Sequence, residues 1–64
     1  MNPDRLPLMN EHAAAQRLNV TVPTLRNWRY LRKGPTFKKI GGSVKYDPRD
    51  LDEFIEKSTI EVAA

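Results

Sequence analysis

Apolar side chains recur every three or four residues in three stretches of the chain, and this spacing predicts three short amphipathic helices. The first runs from Asn10, a good N-cap residue, to Asn19, which tolerates the left-handed geometry of a helix end. Glu11 follows the cap in the first turn, where a negative charge suits the helix dipole. The apolar stripe consists of Ala14, Ala15 and Leu18. Its small alanines let a second helix approach closely.

The second helix is predicted between Thr21 and Gly34, because Thr21 is a good N-cap residue and Gly34 supplies a left-handed stop. At about 100° per residue, Leu25 lies at the centre of the apolar side, flanked by Val22 and Trp28. Trp28 is therefore assigned to core packing rather than to base stacking. The opposite side carries Pro23, Arg26, Asn27 and Tyr30, with Thr24 near its edge. The two helices and the short turn between them indicate a helix-turn-helix, whose second helix enters the major groove.

After the second helix the pattern becomes alternating, which predicts two short strands joined by Gly41-Gly42. A two-residue loop pairs Lys39 with Val44, whereas a three-residue loop pairs Ile40 with Val44 and changes the inward face. The alternation allows both registers. In either register, the glycine turn is flanked by lysines, which is typical of a wing that can lie along a phosphate backbone.

The third helix is predicted to begin with Asp47 as N-cap and Pro48 at the first helical position. The predicted core comprises Ala14, Leu18, Val20, Leu25, Trp28, Phe37, Val44, Leu51, Phe54 and Ile55. The predicted fold is mainly α with a small β-hairpin: a winged helix-turn-helix in the order helix, turn, helix, hairpin wing, helix. We expect an N-terminal arm over residues 1–8, the DNA-binding domain over 9–57, and a helix end or flexible tail over 58–64.

Charge is distributed unevenly along the 64 residues. The net charge of +3 is a weak indication, but residues 26–49 sum to +7, residues 1–25 to zero and residues 50–64 to −4. A basic middle beside an acidic end indicates a polyanion-binding centre and an end that faces solvent or a partner.

The residue inventory argues against catalysis and against a bound metal. The chain has no cysteine, and His12 has no second histidine with which to form a metal site or an acid–base pair. We therefore expect neither an enzyme nor a metal, a cofactor or a small-molecule effector. No apolar run reaches the roughly 18 residues of a membrane span, and the N-terminus lacks the apolar region of a signal peptide. We expect a soluble, cytoplasmic protein that does not bind membranes.

The front of the second helix supplies the candidates for the major groove, which are Pro23, Thr24, Arg26, Asn27 and Tyr30. Arg26 could bond guanine O6 and N7, could contact a phosphate, or could be a solvated helix residue. Asn27 could bond adenine N6 and N7 or could be a solvated polar residue. Tyr30 either reaches a phosphate or a thymine methyl, or packs against the wing. Pro23 and Thr24 stand where helix N–H groups favour a phosphate, although both residues also start the helix.

Two further groups are candidates for contacts with the DNA backbone. The rim group consists of Thr21, Arg29, Arg32 and Lys33. For Arg29 and Arg32 we expect either a phosphate contact or a salt bridge to the acidic last helix. The wing group consists of Lys38, Lys39, Gly41, Gly42, Ser43 and Lys45. The wing lysines would contribute affinity and salt dependence more than sequence choice.

The amino-acid sequence over about residues 6–57 resembles that of the excisionase family. These are small winged-helix proteins related to the DNA-binding domain of MerR-type regulators. The resemblance is carried by Ala14-Ala15, Leu18-Asn19-Val20-Thr21, Thr24-Leu25-Arg26-Asn27-Trp28, Gly34-Pro35, Ile40-Gly41-Gly42, Val44-Lys45-Tyr46 and Asp50-Leu51. Two departures are Asn27, where the family often has a basic residue, and Asn19, where it frequently has glycine.

This resemblance implies a recombination directionality factor of a phage or mobile element, acting at the nucleoid of a bacterial host cell. Such proteins bind repeated sites beside an attachment site, bend the DNA and help an integrase to excise the element. The implied partners are double-stranded DNA, other copies of the chain on adjacent sites, and an integrase. AlpA-like relatives act as transcriptional regulators, which is the second hypothesis. A protein-interaction module that uses the acidic residues 50–61 is the third.

Overall fold

The computed structural model describes residues 7–62 and contains three helices and a three-stranded antiparallel sheet. The elements are β1 (Met9–Asn10), α1 (Glu11–Leu18), α2 (Val22–Tyr30), β2 (Lys38–Ile40), β3 (Ser43–Tyr46) and α3 (Pro48–Lys57). This is the predicted winged helix-turn-helix. No helix within residues 7–62 is long and apolar enough to cross a membrane. Most of the predicted arm and the last two residues of the predicted tail lie outside the described residues.

Side-chain caps begin all three helices at the positions that the sequence predicts. In each case an oxygen of the cap residue accepts a hydrogen bond from a backbone N–H of the first turn, which would otherwise have no partner. The bonds join Asn10 to Ala13 at 2.8 Å, Thr21 to Thr24 at 3.2 Å and Asp47 to Arg49 at 2.9 Å. The starting points of the helices therefore follow from local chemistry alone.

The turn between α1 and α2 is formed by Asn19 in the left-handed conformation, with φ of 57°. Its N–H donates to the carbonyl of Gln16 at 3.1 Å, and the N–H of Val20 donates to the carbonyl of Ala15 at 2.9 Å. These two bonds make a Schellman motif, which satisfies the last carbonyls of α1. The predicted end of the first helix is confirmed.

The end of α2 differs from the prediction, because the helix stops at Tyr30 and not at Gly34. The left-handed residue is Arg32, with φ of 57°. The N–H of Lys33 donates to the carbonyl of Trp28 at 2.8 Å, so the motif that ends α1 recurs here. The sequence pattern missed this stop because residues with a Cβ atom seldom adopt left-handed geometry.

The wing has the register of a two-residue loop, which settles the choice that the alternation left open. Lys39 lies opposite Val44, and Ile40 lies opposite Ser43. The loop residues Gly41 and Gly42 have φ of 56° and 87°. A type I′ turn requires positive φ at both central positions, and glycine supplies it without steric cost.

A third strand, β1, was not predicted from the sequence. It pairs Met9 with Tyr46 and Asn10 with Lys45, so β3 becomes the central strand of the sheet. Two residues are too few to show a period of two, and the pattern assigned this segment to the arm and the helix cap. The strand ties the chain before α1 to the wing.

The core is small and draws on every helix and on the central strand. Its buried residues are Ala14, Ala15, Leu25, Tyr46 and Leu51. The predicted core residues Leu18, Val20, Trp28 and Val44 are partly buried against this cluster. Phe54 is half-buried, and its ring centre lies 5.5 Å from that of Trp28. Tyr46 is fully buried although the predicted core did not include it.

Two residues that the sequence placed in the core are exposed instead. Phe37 precedes β2 at the sheet edge and is 40 % exposed, with its ring centre 6.2 Å from that of Tyr46. Ile55 on α3 is 43 % exposed. Leu51 occupies the core position of α3 and Phe54 contacts Trp28, so the small core offers Ile55 little surface to cover. The apolar stripe of a helix shows which side faces the core, but not how much of that side the core covers.

Gly34 is held against the ring of Trp28 after the end of α2. A Cβ atom at this position would lie 2.9 Å from Trp28 Cε3, and φ of Gly34 is 88°. The glycine therefore meets two requirements, close approach and positive φ. Gly42 has nearly the same φ, but a Cβ atom there would meet nothing within 4 Å.

We expect Gly34→Ala to lower the free energy of unfolding more than Gly42→Ala does. Both variants incur the cost of positive φ, about 1–2 kcal/mol for a residue with a Cβ, but only Gly34→Ala also pushes against Trp28. Such overpacking costs about 1–3 kcal/mol more. Urea unfolding of the two variants would measure the difference, and equal losses would show that the approach to Trp28 is not tight.

Candidate nucleic-acid interface

The front of α2 presents four of its five predicted residues to solvent, which are Pro23, Arg26, Asn27 and Tyr30. Thr24 is half-buried, and its hydroxyl lies 2.8 Å from that of Thr21. Tyr30 is 84 % exposed, so it does not pack against the wing. The exposed front of α2 therefore offers a guanidinium, an amide and a phenol to a ligand.

Glu11 reaches from the start of α1 to the front of α2 and binds Arg26. Arg26 Nη2 donates to Glu11 Oε2 at 2.8 Å, and Arg26 Nε donates to Glu11 Oε1 at 3.2 Å. The Arg26 side chain stays 59 % exposed in spite of this pairing. Glu11 therefore engages one edge of the group and leaves the edge formed by Nη1 and Nη2 open.

Arg29 sits behind this pair and links three elements. Its Nη2 donates to Glu11 Oε1 at 3.1 Å, and its Nη1 donates to the hydroxyl of Tyr46 at 3.0 Å. The guanidinium also lies 5.8 Å from the centre of the Phe37 ring, within the range of a cation–π contact. For Arg29 we expected a phosphate contact or a salt bridge to the last helix. Its carboxylate partner instead lies on α1, and the Arg29 side chain is only 17 % exposed.

The loop after α2 carries Arg32 and Lys33, and both side chains are exposed. Within residues 7–62 neither of them has a carboxylate at salt-bridge distance, so the expected bridge from Arg32 to the last helix does not form. They border an open groove of about 520 Å³ that Tyr30 and Phe37 also line. The groove combines positive charge with two aromatic rings.

The three wing lysines are in different environments. Lys38 Nζ lies 3.8 Å from Asp50 Oδ2 of α3, which draws this charge toward the body of the domain. Lys45 lies directly across the hairpin from Lys38 and is half-buried, whereas Lys39 is exposed and lies on the other face of the hairpin. In the described part of the chain, Lys39 and Lys45 have no carboxylate partner.

The wing and the helix-turn-helix border a common cleft of about 330 Å³. Its lining includes Glu11 and His12 from α1, Arg29 from α2, and Gly42, Ser43 and Lys45 from the wing. The structure thus brings the tip of the wing next to Arg29 and next to Glu11, which holds Arg26. The five predicted major-groove residues do not line this cleft.

Cations elsewhere in the described residues are matched with carboxylates. The pairs are Arg17 with Asp52, Arg49 with Asp47, and Lys57 with Glu53. Each matches one positive charge with one negative charge on or beside α3. Across residues 7–62, the unmatched positive charge therefore lies on the loop after α2, on the wing, and on α2 itself, where Arg26 and Arg29 share the single carboxylate of Glu11.

Ion pairing also sets the protonation of two carboxyl groups. Hydrogen bonds from Arg26 lower the pKa of Glu11 to about 2, assisted by Arg29 and opposed by burial. Hydrogen bonds from the side chain and the backbone of Arg49 lower the pKa of Asp47 to about 2. Both groups are ionised at neutral pH.

Two residues of this region escaped the sequence analysis. Glu11 was interpreted only as a first-turn acid that suits the helix dipole, and Tyr46 only as an alternating strand residue. The contacts that define them join residues 15 to 18 positions apart. One signal was available, because Glu11 is one of only two acidic residues among residues 1–25, while α2 carries two arginines.

We expect the domain to lose stability in acid. The pKa values of Glu11 and Asp47 are lowered from 4.5 and 3.8, so both stabilise the fold above those values and cease to do so as pH falls toward about 2. Urea unfolding between pH 6 and about pH 2 should show a steady decline. Glu11→Gln should flatten that decline, and Glu56→Gln, at an exposed site on α3, should not. Parallel profiles for the wild type and Glu11→Gln would contradict the assignment.

Comparison with known proteins places this architecture in a family. The sequence model of a family described as a helix-turn-helix domain matches residues 11–59, which is most of the chain and includes all three helices. No curated protein and no solved structure matches the chain. The matched region contains α2, the wing and Glu11. The chain is therefore a DNA-binding protein and belongs to the helix-turn-helix domain family.

Proposed function

We propose that this protein binds a specific double-stranded DNA sequence through α2 and acts as an excisionase of a phage or mobile element. The observation that carries the proposal is the exposed, oriented guanidinium of Arg26 on the front of α2. Its open edge has the two donors that pair with guanine O6 and N7 in the major groove. Asn27 and Tyr30 extend the same exposed front.

The remaining contacts would position the domain without reading sequence. Arg32 and Lys33 flank the end of α2, and Lys39 and Lys45 lie on the wing, all without carboxylate partners among the described residues. Unmatched cations beside a reading helix suit the phosphates that border a groove. Thr21 and Thr24 add hydroxyls at the start of α2.

The excision role rests on the resemblance to excisionases and on the size of the domain. A single module of this kind buries only about 600–1,000 Å² on DNA. Useful affinity then requires several copies on adjacent sites or help from an integrase. We propose that copies bind tandem sites beside an attachment site, bend the DNA and favour integrase-mediated excision.

The alternative is a small transcriptional regulator of a mobile element. It would use the same front of α2 and the same wing, so the DNA contacts favour neither role. If the gene lies next to an integrase gene, the excision role is supported. If it lies next to an operon that the protein regulates, the role in transcriptional control is supported. A supercoiled substrate with two attachment sites and the neighbouring integrase would distinguish the roles by whether this protein raises the yield of excised circles.

We expect binding to tandem sites to be cooperative. The test first selects duplexes from a randomised pool with the wild-type protein, and then titrates probes that carry one or three copies of the enriched site. Affinity per site should rise with copy number, and the bound three-site probe should migrate as bent DNA in a circular-permutation assay. Equal affinity per site on unbent DNA would argue against the excisionase role and leave a simple DNA binder.

We expect Arg26→Ala and Lys45→Ala to separate base contacts from backbone contacts. Arg26→Ala should weaken binding to the enriched site by about 1–3 kcal/mol and binding to random duplex by less. Lys45→Ala should weaken both about equally and lower the slope of log affinity against log salt by about one unit. Lys57→Ala, which removes a cation paired on α3, is the matched control and should change neither.

A further inference from the structure

Glu11 pairs with Arg26 and so places a carboxylate on the proposed DNA-reading surface, among the groups that would approach phosphates. Its side chain is 19 % exposed and contacts both Arg26 and Arg29. Simple attraction to DNA would be stronger without this negative charge. The position of the carboxylate therefore suggests a role other than affinity.

We propose that Glu11 is a positioning residue that sets the sequence specificity of Arg26. This inference rests on the proposed DNA binding through α2. The carboxylate receives the Nε and Nη2 donors of Arg26, at 3.2 and 2.8 Å. Of the five N–H groups of the guanidinium, this leaves two on Nη1 and one on Nη2. The open edge can therefore make one bidentate contact in one direction.

Orientation by Glu11 favours a base over a phosphate. A free arginine side chain has many rotamers and can turn toward any nearby phosphate, whereas a held guanidinium meets a guanine edge with less loss of entropy. The carboxylate also repels phosphates that approach the same surface, but this repulsion weakens specific and non-specific binding alike. Only the orientation of Arg26 therefore raises specific binding relative to non-specific binding.

Arg29 holds the carboxylate of Glu11 in place, and this carboxylate in turn orients Arg26. Its Nη2 donates to Glu11 Oε1, and its Nη1 is held by the hydroxyl of the buried Tyr46. The chain of contacts therefore runs from the core, through Arg29 and Glu11, to the exposed guanidinium. A charge held in this way is pre-organised for a ligand.

The test compares the affinity for the enriched duplex with that for a scrambled duplex of the same length and composition, at one salt concentration. Glu11→Gln should raise affinity for the scrambled duplex and lower the specific-to-scrambled ratio by about tenfold, within the range of discrimination of one bidentate base contact. The folded fraction scales both affinities equally, so a purely structural role of Glu11 would leave the ratio unchanged.

Two controls sharpen the result. Asp52→Asn makes the same charge change in the pair of Arg17 and Asp52, away from α2, and should leave the ratio unchanged. In an Arg26→Ala background, Glu11→Gln should no longer lower the ratio, because the group that it positions is gone. An unchanged ratio in Glu11→Gln, or an equal fall in the Arg26→Ala background, would overturn the inference.

Failure of the proposed function would look different. If the wild-type protein enriches no sequence from the randomised pool, sequence-specific binding through α2 is wrong, and the role of Glu11 falls with it. If the wild type enriches a site but Glu11→Gln keeps the wild-type ratio, the proposed binding stands and only the role of Glu11 is rejected.

Discussion

The structure depends on the close contact of α1 and α2 at Ala14, Ala15 and Leu25, all of which are buried. Two alanines on α1 leave room for the leucine of α2, and Tyr46 and Leu51 close the same cluster from the sheet and from α3. A domain of this size has no second core to compensate for damage to the first. Packing that holds α2 in place is therefore also the packing that keeps the chain folded.

A polar layer extends outward from this core toward the candidate interface. Arg29 donates one hydrogen bond to the hydroxyl of Tyr46 and another to the carboxylate of Glu11. The same carboxylate accepts a hydrogen bond from Arg26 at the surface. The two arginines satisfy the carboxylate, so its partial burial is compensated. Because Tyr46 lies on the central strand, the wing and α2 share this layer. A change in the position of the wing would thus reach the front of α2 through hydrogen bonds.

Local chemistry explains what the sequence could predict. The caps at Asn10, Thr21 and Asp47 and the left-handed Asn19 depend on residues within a few positions, so pattern and residue type were sufficient. The wing needed the structure to select its register, although Gly41-Gly42 marked its turn. The exposed front of α2 also followed from periodicity.

The rest depended on contacts between distant residues or on the size of the core. The pairing of Glu11 with both arginines required knowing how α1 crosses α2. The exposure of Phe37 and Ile55 required knowing where the core ends, which apolar spacing does not show. Tyr46 is buried because its side chain packs in one cluster with residues of all three helices, and those on α1 and α2 lie far from it in the sequence. The strand β1 is too short to be recognised from a pattern.

The left-handed Arg32 has a consequence for the balance between folding and charge. Glycine would adopt this backbone conformation without the roughly 1–2 kcal/mol that a Cβ atom costs, and it would end α2 through the same hydrogen bonds. It would also remove a cation from the groove beside Tyr30 and Lys33. At this turn the chain gives up folding stability and keeps a positive charge, a compromise that matters most in a domain whose total stability is small.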